Sequence, residues 1–409
     1  MNGFMHFLNT KFAPGAQKIA NNDWIVTIKN SILEVLPFIF VGSFITLFNI
    51  PLNFWKWWPD LAPISSFTFG LVSIFIAFLF PFNLMEHKKL KKQRIIAGLS
   101  SVALFLMLAN PIWDKSGAVV SYQFSEFGAG GMFVALVVGI YTALIMEAFG
   151  RFSFFSEDTS MPDFVIAWFD SMLPITVVVA TGWILTYLLH FNFYKLIVDL
   201  FSPLANSLNT WWGFTLFLFF TCFIYSMGIS GWVLAAVDQP VMLAGIAVNA
   251  HQYANGQAVT HIFTSELIYS FPWIGGVGCT LPLVLLMLFA CKSRRMKALG
   301  KACIAPSIFN INEPVIFGTV VWNPYLMIPL WINGLVLPLI TAFWFKAGLS
   351  PIPHSLMQMW YIPFPFVTWI VSPAISSIIL LVILFVVGTL VWYPFLKVYD
   401  NSLIKDELA

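Results

Sequence analysis

The chain carries very little charge. Only 9% of its 409 residues are Asp, Glu, Lys or Arg and 59% are apolar, whereas soluble domains carry about 25% charged residues. Because about 20 apolar residues can span a bilayer, this shortage argues against a water-soluble protein and predicts an all-α polytopic membrane protein. Long stretches without any of the four charged residue types include Val35–Trp55, Leu61–Met85, Phe127–Met146, Ser171–Tyr194, Leu200–Val237, Leu267–Cys291 and Pro314–Phe345.

Other patterns are missing as well. The four cysteines have no CxxC spacing, so neither a metal site nor a disulfide framework is predicted. No glycine-rich loop ends in Gly-Lys-Ser or Gly-Lys-Thr, which argues against direct use of a nucleotide. A net charge of +2 is too small to indicate a nucleic-acid partner. No cofactor is predicted from these residues.

The basic residues that are present predict the topology. Two short stretches, residues 88–94 and 292–301, hold ten of the twenty Lys and Arg residues. Such clusters favour the cytoplasmic side of a membrane. Counting apolar segments around them predicts about ten transmembrane helices, with both basic loops and both termini in the cytoplasm. The chain divides into an amphipathic N-terminal segment, residues 1–30, and a membrane-embedded domain, residues 31–409.

Two apolar tracts are too irregular for a spanning helix. Ala305–Trp322 contains two asparagines and an acid, and Pro351–Pro373 is rich in proline. Broken backbone at membrane depth is tolerated where it is buried in protein or lines a wet cavity. Both tracts are therefore predicted to be re-entrant hairpins at a translocation site.

Glu313 is the leading candidate for a functional residue. It lies in the sequence Asn-Ile-Asn-Glu-Pro, and an acid among apolar residues is costly unless it serves a polar ligand, a proton or an ion. The alternative is a helix start, with Asn312 as the cap and Glu313 placed favourably in the helix dipole. Glu34 and Asp238 are the other acids in predicted spans. Asp238 precedes Gln239 and Pro240 and could hydrogen-bond to backbone groups that a helix break leaves without partners.

The tract around Glu313 also resembles a known family. Pro306–Gly318, PSIFNINEPVIFG, closely resembles the signature loop of lactose/cellobiose-family permease subunits (enzyme IIC) of the bacterial phosphotransferase system. The resemblance covers essentially the whole chain. The other similar stretches are QKIANN at Gln17–Asn22, LPFIFVGSF at Leu36–Phe44, KALGK at Lys297–Lys301, NPYLMIP at Asn323–Pro329 and YPFLKVYDNSLIKDE at Tyr393–Glu407.

This resemblance implies a fold and a function. Such subunits are homodimers in the bacterial plasma membrane, with about ten helices and two re-entrant hairpins per protomer. Residues 31–190 would mainly form scaffold and dimerisation helices, and residues 212–393 would mainly carry the substrate. The implied function is import of a disaccharide such as cellobiose, chitobiose or lactose, coupled to phosphorylation of its 6-hydroxyl by a phosphocysteine on a separate IIB protein, itself served by a IIA protein.

The resemblance also implies site residues. Glu313 would bind a sugar hydroxyl and act as its general base, Asn312 would shape the loop, and Trp360 would supply an aromatic surface. Two positions depart from the family pattern: Ser230 stands where many members have histidine, and Val277 stands where serine is usual. A serine hydroxyl can hydrogen-bond a sugar but does not titrate near neutral pH.

Three other functions stay open on the residues alone. A facilitator or proton-coupled sugar carrier would use Glu313 or Asp238 to handle a proton. A membrane-embedded enzyme would show a cluster of polar catalytic groups near one interface, which the dispersed acids do not form. A sensory protein that has lost transport would account for Ser230 and Val277. Sugar uptake with and without the phosphorylated IIB protein separates these functions.

Overall fold

The computed structural model describes residues 10–11, 13–53, 55–150, 152–155 and 161–408. Residues 1–9 and 12 of the predicted amphipathic segment 1–30 lie outside the described residues. The rest of that segment contains helix α1 (Ala13–Ala20) and the first turns of the next helix. Within the described residues, strands β1 (Ile112–Trp113) and β2 (Val120–Ser121) form one short antiparallel pair, and helices make up most of the remainder.

The described residues form two compact units. The first unit contains Ile19–Pro203 and the short piece Ala235–Pro240. Its core includes Phe80, Leu84 and Met146, all fully buried, with Trp24 and Ile175 packed against them. Its helices are α2 (Asp23–Phe48), α3 (Ala62–Ser66), α4 (Val72–His87), α5 (Arg94–Leu108), α6 (Met132–Phe149) and α7 (Asp163–Trp183).

The second unit contains the described residues up to Lys18, Leu204–Leu234 and the residues from Val241 onward. Helices α8 (Phe193–Leu208) and α10 (Ala235–Ala254) have residues in both units. The other helices of the second unit are α9 (Trp211–Tyr225), α11 (Ser265–Ser270), α12 (Thr280–Phe289), α13 (Arg294–Ile308), α14 (Glu313–Val315), α15 (Pro324–Lys346), α16 (Phe366–Val371) and α17 (Ile375–Leu408).

The core of the second unit surrounds Trp392. This side chain is fully buried, and its indole N–H donates to the carbonyl oxygen of Cys279 at 2.8 Å. A buried indole needs such a partner, because an unpaired N–H in an apolar core is costly. The bond joins the long C-terminal helix α17 to the residue that precedes α12, and so fixes where α12 begins.

Side-chain caps begin several helices of the second unit. The hydroxyl of Thr210 accepts from the backbone N–H of Gly213 at the start of α9, and the hydroxyl of Ser293 accepts from that of Met296 at the start of α13. Asn323 caps α15 in the same way, with a proline in the first turn. Each cap satisfies one of the N–H groups that a helix start leaves without an intrahelical partner.

The described residues confirm the predicted all-α polytopic membrane protein. Seven helices are long and apolar enough to cross a membrane, and a bent pair, Phe193–Leu208 with Trp211–Tyr225, has an angle of 85° and could form an eighth crossing. With the shorter apolar helix Thr280–Phe289, the number is roughly consistent with the ten predicted. The seven are Asp23–Gly42, Ala62–His87, Ala129–Phe149, Val165–Leu188, Gly231–Ala254, Pro324–Lys346 and Ile375–Lys405.

The two tracts predicted to be irregular contain broken backbone. In the first, α13 ends at Ile308, and α14 then forms a single turn that continues into a π-helical turn at Ile316–Val320. In the second, residues 351–365 contain no helix before α16 begins at Phe366. Neither tract forms a straight helix.

A third break lies inside the charge-free stretch Leu267–Cys291, which is long enough to span a membrane. The helix there begins only at Thr280. The glycines Gly275, Gly276 and Gly278 have φ angles of 79°, 108° and 81°, which a right-handed helix cannot contain. The residues before Thr280 therefore form a loop.

Candidate functional site

The three breaks are joined by hydrogen bonds within the second unit. They are the loop 271–279, the turn 309–312 and the tract 351–365. A break leaves backbone N–H and C=O groups without helical partners, and inside a membrane these groups must bond to protein or ligand. Here asparagine side chains supply several of the partners. The region where the three breaks contact one another therefore contains many polar groups within an otherwise apolar unit.

Asn310 connects all three breaks. Its side chain amide is 6% exposed, and its backbone has a left-handed φ of 61°, which asparagine tolerates better than most residues. Its Oδ1 accepts from the N–H of Gly275 at 3.0 Å. Its Nδ2 donates to the carbonyl oxygens of Trp360 at 2.7 Å and Ile362 at 3.1 Å. One amide thus holds three backbone groups in fixed positions.

Asn312 forms the second connection. Its side chain is 3% exposed, and its Nδ2 donates to the carbonyl oxygen of Val277 at 2.9 Å. Its Oδ1 accepts from the hydroxyl of Tyr225 at 3.4 Å. A Cβ on Gly276 would lie 2.5 Å from the Asn312 Cγ, so the close approach needs glycine. The bond uses the backbone of residue 277, which a valine supplies as well as a serine.

Glu313 follows directly as the first residue of α14. Its side chain is exposed, although Val315 and Ile316 behind it are fully buried. The Tyr225 hydroxyl is close enough to interact with its carboxylate. Asn312 does occupy the helix-cap position, but its side chain makes no capping bond, so the helix-start alternative describes the backbone alone. The carboxylate is left able to accept hydroxyl groups of a ligand.

Trp360 and Ser230 are linked through a second tryptophan. The rings of Trp232 and Trp360 lie 6.5 Å apart between centroids, at an interplanar angle of 65°. The backbone N–H of Trp232 donates to the hydroxyl of Ser230 at 3.4 Å. Because Asn310 holds the carbonyl oxygen of Trp360, this aromatic pair belongs to the same network as Asn312 and Glu313. Among the described residues no hydrogen bond joins Ser230 directly to the network's carboxylate.

Glu266 is a second acid in this unit that the sequence interpretation missed. It is 1% exposed, and its Oε1 accepts from the backbone N–H of Met357 at 2.9 Å and from Nε2 of Gln358 at 3.0 Å. Its Oε2 is buried and has no hydrogen-bond partner among the described residues. Glu266, on α11, therefore anchors the tract 351–365. The anchored residue Gln358 lies two residues before Trp360.

Asn310 and Tyr225 were also missed as site residues. Asn310 was noted only as part of an irregular tract, and Tyr225 lies in an apolar run that predicts a spanning helix. The one available signal was the density of asparagines in Asn310-Ile-Asn312, since amides in an apolar tract need partners. Nothing in the sequence marks the tyrosine.

Known proteins with similar sequences are consistent with this arrangement. The family described as "Phosphotransferase system, EIIC" matches residues 29–334, which is most of the chain. The chain belongs to this EIIC family. It is thus a multi-pass membrane permease of the phosphotransferase system. The family motif around Glu313 lies within the matched residues.

Individual EIIC relatives extend the match along the chain. The chain is 27% identical over 440 residues to the lichenan permease IIC component of Bacillus subtilis, covering 100% of this chain and 96% of that protein. It is 26% identical to the lactose-specific EIICB component of Lacticaseibacillus casei, covering 98% of this chain and 72% of that protein. One of these relatives is named for lichenan and the other for lactose.

A solved EIIC structure has the same fold. It is the crystal structure of the transporter ChbC, the IIC component from the N,N'-diacetylchitobiose-specific phosphotransferase system, which superposes with a TM-score of 0.86 and 27% sequence identity. The match covers 98% of this chain and 99% of that one. The fold of this chain is therefore that of an EIIC transporter.

Proposed function

We propose that this EIIC protein binds a disaccharide at the three joined breaks and presents its 6-hydroxyl for phosphorylation. The observation that carries the proposal is the exposed Glu313 carboxylate at the start of α14. It lies beside Asn312, which is buried and whose side chain forms two hydrogen bonds. A positioned carboxylate can both bind a hydroxyl and accept its proton. The rigid neighbours hold that carboxylate in place before the sugar arrives.

Each group at the site has a proposed part in the reaction. Glu313 accepts the proton of the sugar 6-hydroxyl as the hydroxyl oxygen attacks the phosphorus atom of a phosphocysteine on the IIB protein. The phosphorus–sulfur bond breaks and the cysteine leaves as a thiolate. Trp360 packs against an apolar face of the sugar, Ser230 bonds a sugar hydroxyl, and Asn312 keeps the loop in shape, a division common at ligand sites.

The proposed substrate class is a disaccharide such as cellobiose, chitobiose or lactose. One relative is a cellobiose-specific EIIC component and another a lactose-specific EIICB component, and the solved relative is the IIC component of an N,N'-diacetylchitobiose-specific system. Sugar pockets distinguish close analogues through a few hydrogen bonds. Because Ser230 stands where the family pattern usually has a histidine, we expect the hydrogen bonds between this position and the sugar to differ from those of the usual pattern.

The proposed assembly follows the same family. We propose a IIB partner because lactose-specific relatives carry the C and B components in one protein, with a IIA protein supplying the phosphoryl group and two EIIC copies forming a homodimer. Residues 31–190 would form the scaffold and dimer helices, and residues 212–393 would carry the sugar. Both termini and the two basic loops would face the cytoplasm.

Uptake of labelled cellobiose, lactose and diacetylchitobiose tests this function. Vesicles containing the protein are compared with and without phosphorylated IIB on the cytoplasmic side, and the product is examined for sugar phosphate. Accumulation of sugar phosphate that needs phosphorylated IIB supports the proposal. Asp199→Asn is a suitable control, because the one ion pair of its exposed carboxylate within the described residues is with Lys195, one turn away on α8. Accumulation of unmodified sugar in the wild-type vesicles would contradict the proposed coupling of uptake to phosphorylation.

A second function, a proton-coupled or facilitated sugar carrier, is favoured by one observation. Two carboxyl groups, Glu266 and Asp238, each have a buried oxygen without a hydrogen-bond partner among the described residues. Acids buried within membrane segments often belong to proton relays in transporters. In that case, uptake would proceed without IIB and would depend on a pH gradient across the vesicle membrane.

A further inference from the structure

A cleft lies in the first unit at the ends of its membrane helices. It has a volume of about 410 Å³. Membrane-length segments end at His87 and Phe149 beside it, and another begins at Val165. The wall is mixed and contains both lysines and apolar residues such as Phe152 and Ile166. Its position at the ends of three spans places it at the level of the lipid headgroups.

The lysines of the cleft are partly unpaired. Lys88 pairs with Glu147 at 2.6 Å outside the cleft, and Lys91 in its wall pairs with Glu86 at 3.2 Å. Lys89 and Lys92 also line the cleft and form no ion pair among the described residues. Among the groups that the structure describes, two cationic donors therefore remain for an anion in the cleft.

Lys89 occupies an unfavourable backbone conformation. Its φ is 62°, at the position after α4 where glycine is the usual residue. The N–H groups of Lys89 and Leu90 donate to the carbonyl oxygens of Glu86 and Met85, the pattern of a Schellman cap. A left-handed conformation is strained for any residue that carries a Cβ. Retaining lysine where glycine fits better indicates a use for its ammonium group.

The cleft also contains hydrogen-bond acceptors. Gln93 lines it with a side chain that is only 9% exposed, and its Oε1 is buried without a partner among the described residues. Asp170 lines it too, and one of its oxygens accepts from the backbone N–H of Phe154 at 2.9 Å. A ligand that suits this cleft combines an anionic group for the lysines with hydroxyl groups for these two acceptors.

We propose that the cleft binds the headgroup of phosphatidylglycerol. Its phosphate would accept from the ammonium groups of Lys89 and Lys92, and its glycerol hydroxyls would donate to Gln93 and Asp170. The apolar wall would lie along the upper acyl chains. A free phosphate ion would pair with the lysines but would not contact the apolar wall or supply a hydrogen-bond donor to the Gln93 oxygen. The lipid headgroup therefore has a partner for more of the groups that line the cleft.

Competition between lipids tests the proposal. The protein is placed in nanodiscs of phosphatidylcholine with a minority of phosphatidylglycerol, and retained lipids are counted by native mass spectrometry. The test variant combines Lys89→Gly, which relieves the backbone strain, with Lys92→Gln. The control, Lys297→Gln with Lys301→Gln, removes two exposed lysines of the other basic loop. Lysines near a membrane surface contribute about fivefold each, so preference should fall roughly 30-fold in the test variant and little in the control.

Each alternative occupant predicts a different result. An equal loss of preference in the test and control variants would show general attraction to the basic surface and would overturn the proposal. Displacement of phosphatidylglycerol by millimolar inorganic phosphate would identify a soluble phosphate site instead. Unchanged lipid preference together with weaker binding of phosphorylated IIB to the test variant would identify a protein-docking surface. Melting temperatures check folding, because Lys89→Gly should not destabilise the protein.

Discussion

Replacement of Asn310 tests whether its amide holds the sugar site together. Asn310→Gly keeps the left-handed backbone, since glycine adopts a φ of 61° without strain. It removes three hydrogen bonds, to the backbone groups of Gly275, Trp360 and Ile362. The variant therefore separates the loss of the amide from any loss of backbone conformation.

The size of the effect follows from these three bonds. Hydrogen bonds in membrane proteins and in soluble proteins contribute about 0.6 to 1 kcal/mol each, so the three together contribute about 2–3 kcal/mol. Glycine recovers part of this by relieving the backbone. A net change of about 2 kcal/mol shifts the equilibrium away from the joined arrangement by roughly 30-fold, and the apparent affinity for sugar falls by up to that factor. Asn310→Ala should be worse, because alanine adds about 1 kcal/mol of strain.

Sugar binding to the purified protein measures this change. Isothermal titration with cellobiose, or with the sugar that the uptake assay identifies, is compared for wild type, Asn310→Gly and Asn310→Ala. Asn255→Gly serves as the control, because this exposed asparagine caps only a local turn beside His251. Wild-type affinity in Asn310→Gly would show that other contacts hold the three breaks and that the Asn310 amide is not needed for sugar binding.

Three further predictions concern single side chains. Gly276→Ala should lower sugar affinity and melting temperature together, because its Cβ would lie 2.5 Å from the Asn312 Cγ; a fully stable variant would contradict the close approach. Ser230→Ala should weaken binding roughly fivefold, the loss of one hydrogen bond, with little change in turnover; equal affinity would remove Ser230 from the site. Hydrogen bonds from the Ser293 hydroxyl and nearby backbone N–H groups lower the pKa of Glu407 in the folded protein. The ionised Glu407 carboxylate therefore stabilises the fold at neutral pH. This stabilisation is lost as the pH falls through the lowered folded pKa, which lies below the ordinary glutamate value of about 4.3. Melting temperatures should show Glu407→Gln less stable than wild type at pH 7 and equal to it at strongly acidic pH.

The membrane helices were largely predictable because charge alone marks them. The charge-free stretch Leu61–Met85 corresponds to the span Ala62–His87, and Phe127–Met146 corresponds to Ala129–Phe149. The 85° bend between α8 and α9 was not predictable. Leu200–Val237 carries no charged residue, and the polar residues Asn209 and Thr210 mark the junction between the two helices but do not encode the angle between them.

The site was predictable only where a residue is unusual in its own surroundings. Glu313 stands out as an acid in an apolar tract, and its family motif includes Asn312. Asn310 and Glu266 matter through contacts that lie 50 and 91 residues away along the chain, at Trp360 and Met357. Such pairs depend on how the three breaks pack, which local sequence does not encode.

The most direct test of the account is the Glu313→Gln variant in a reconstituted assay with phosphorylated IIB. Glutamine keeps the size of the side chain and one hydrogen-bond acceptor but cannot take a proton. The account predicts that sugar binding is partly retained, while formation of sugar phosphate falls by roughly a hundredfold or more, the scale of general acid–base catalysis. Sugar phosphate formed by Glu313→Gln at the wild-type rate would contradict the role assigned to Glu313.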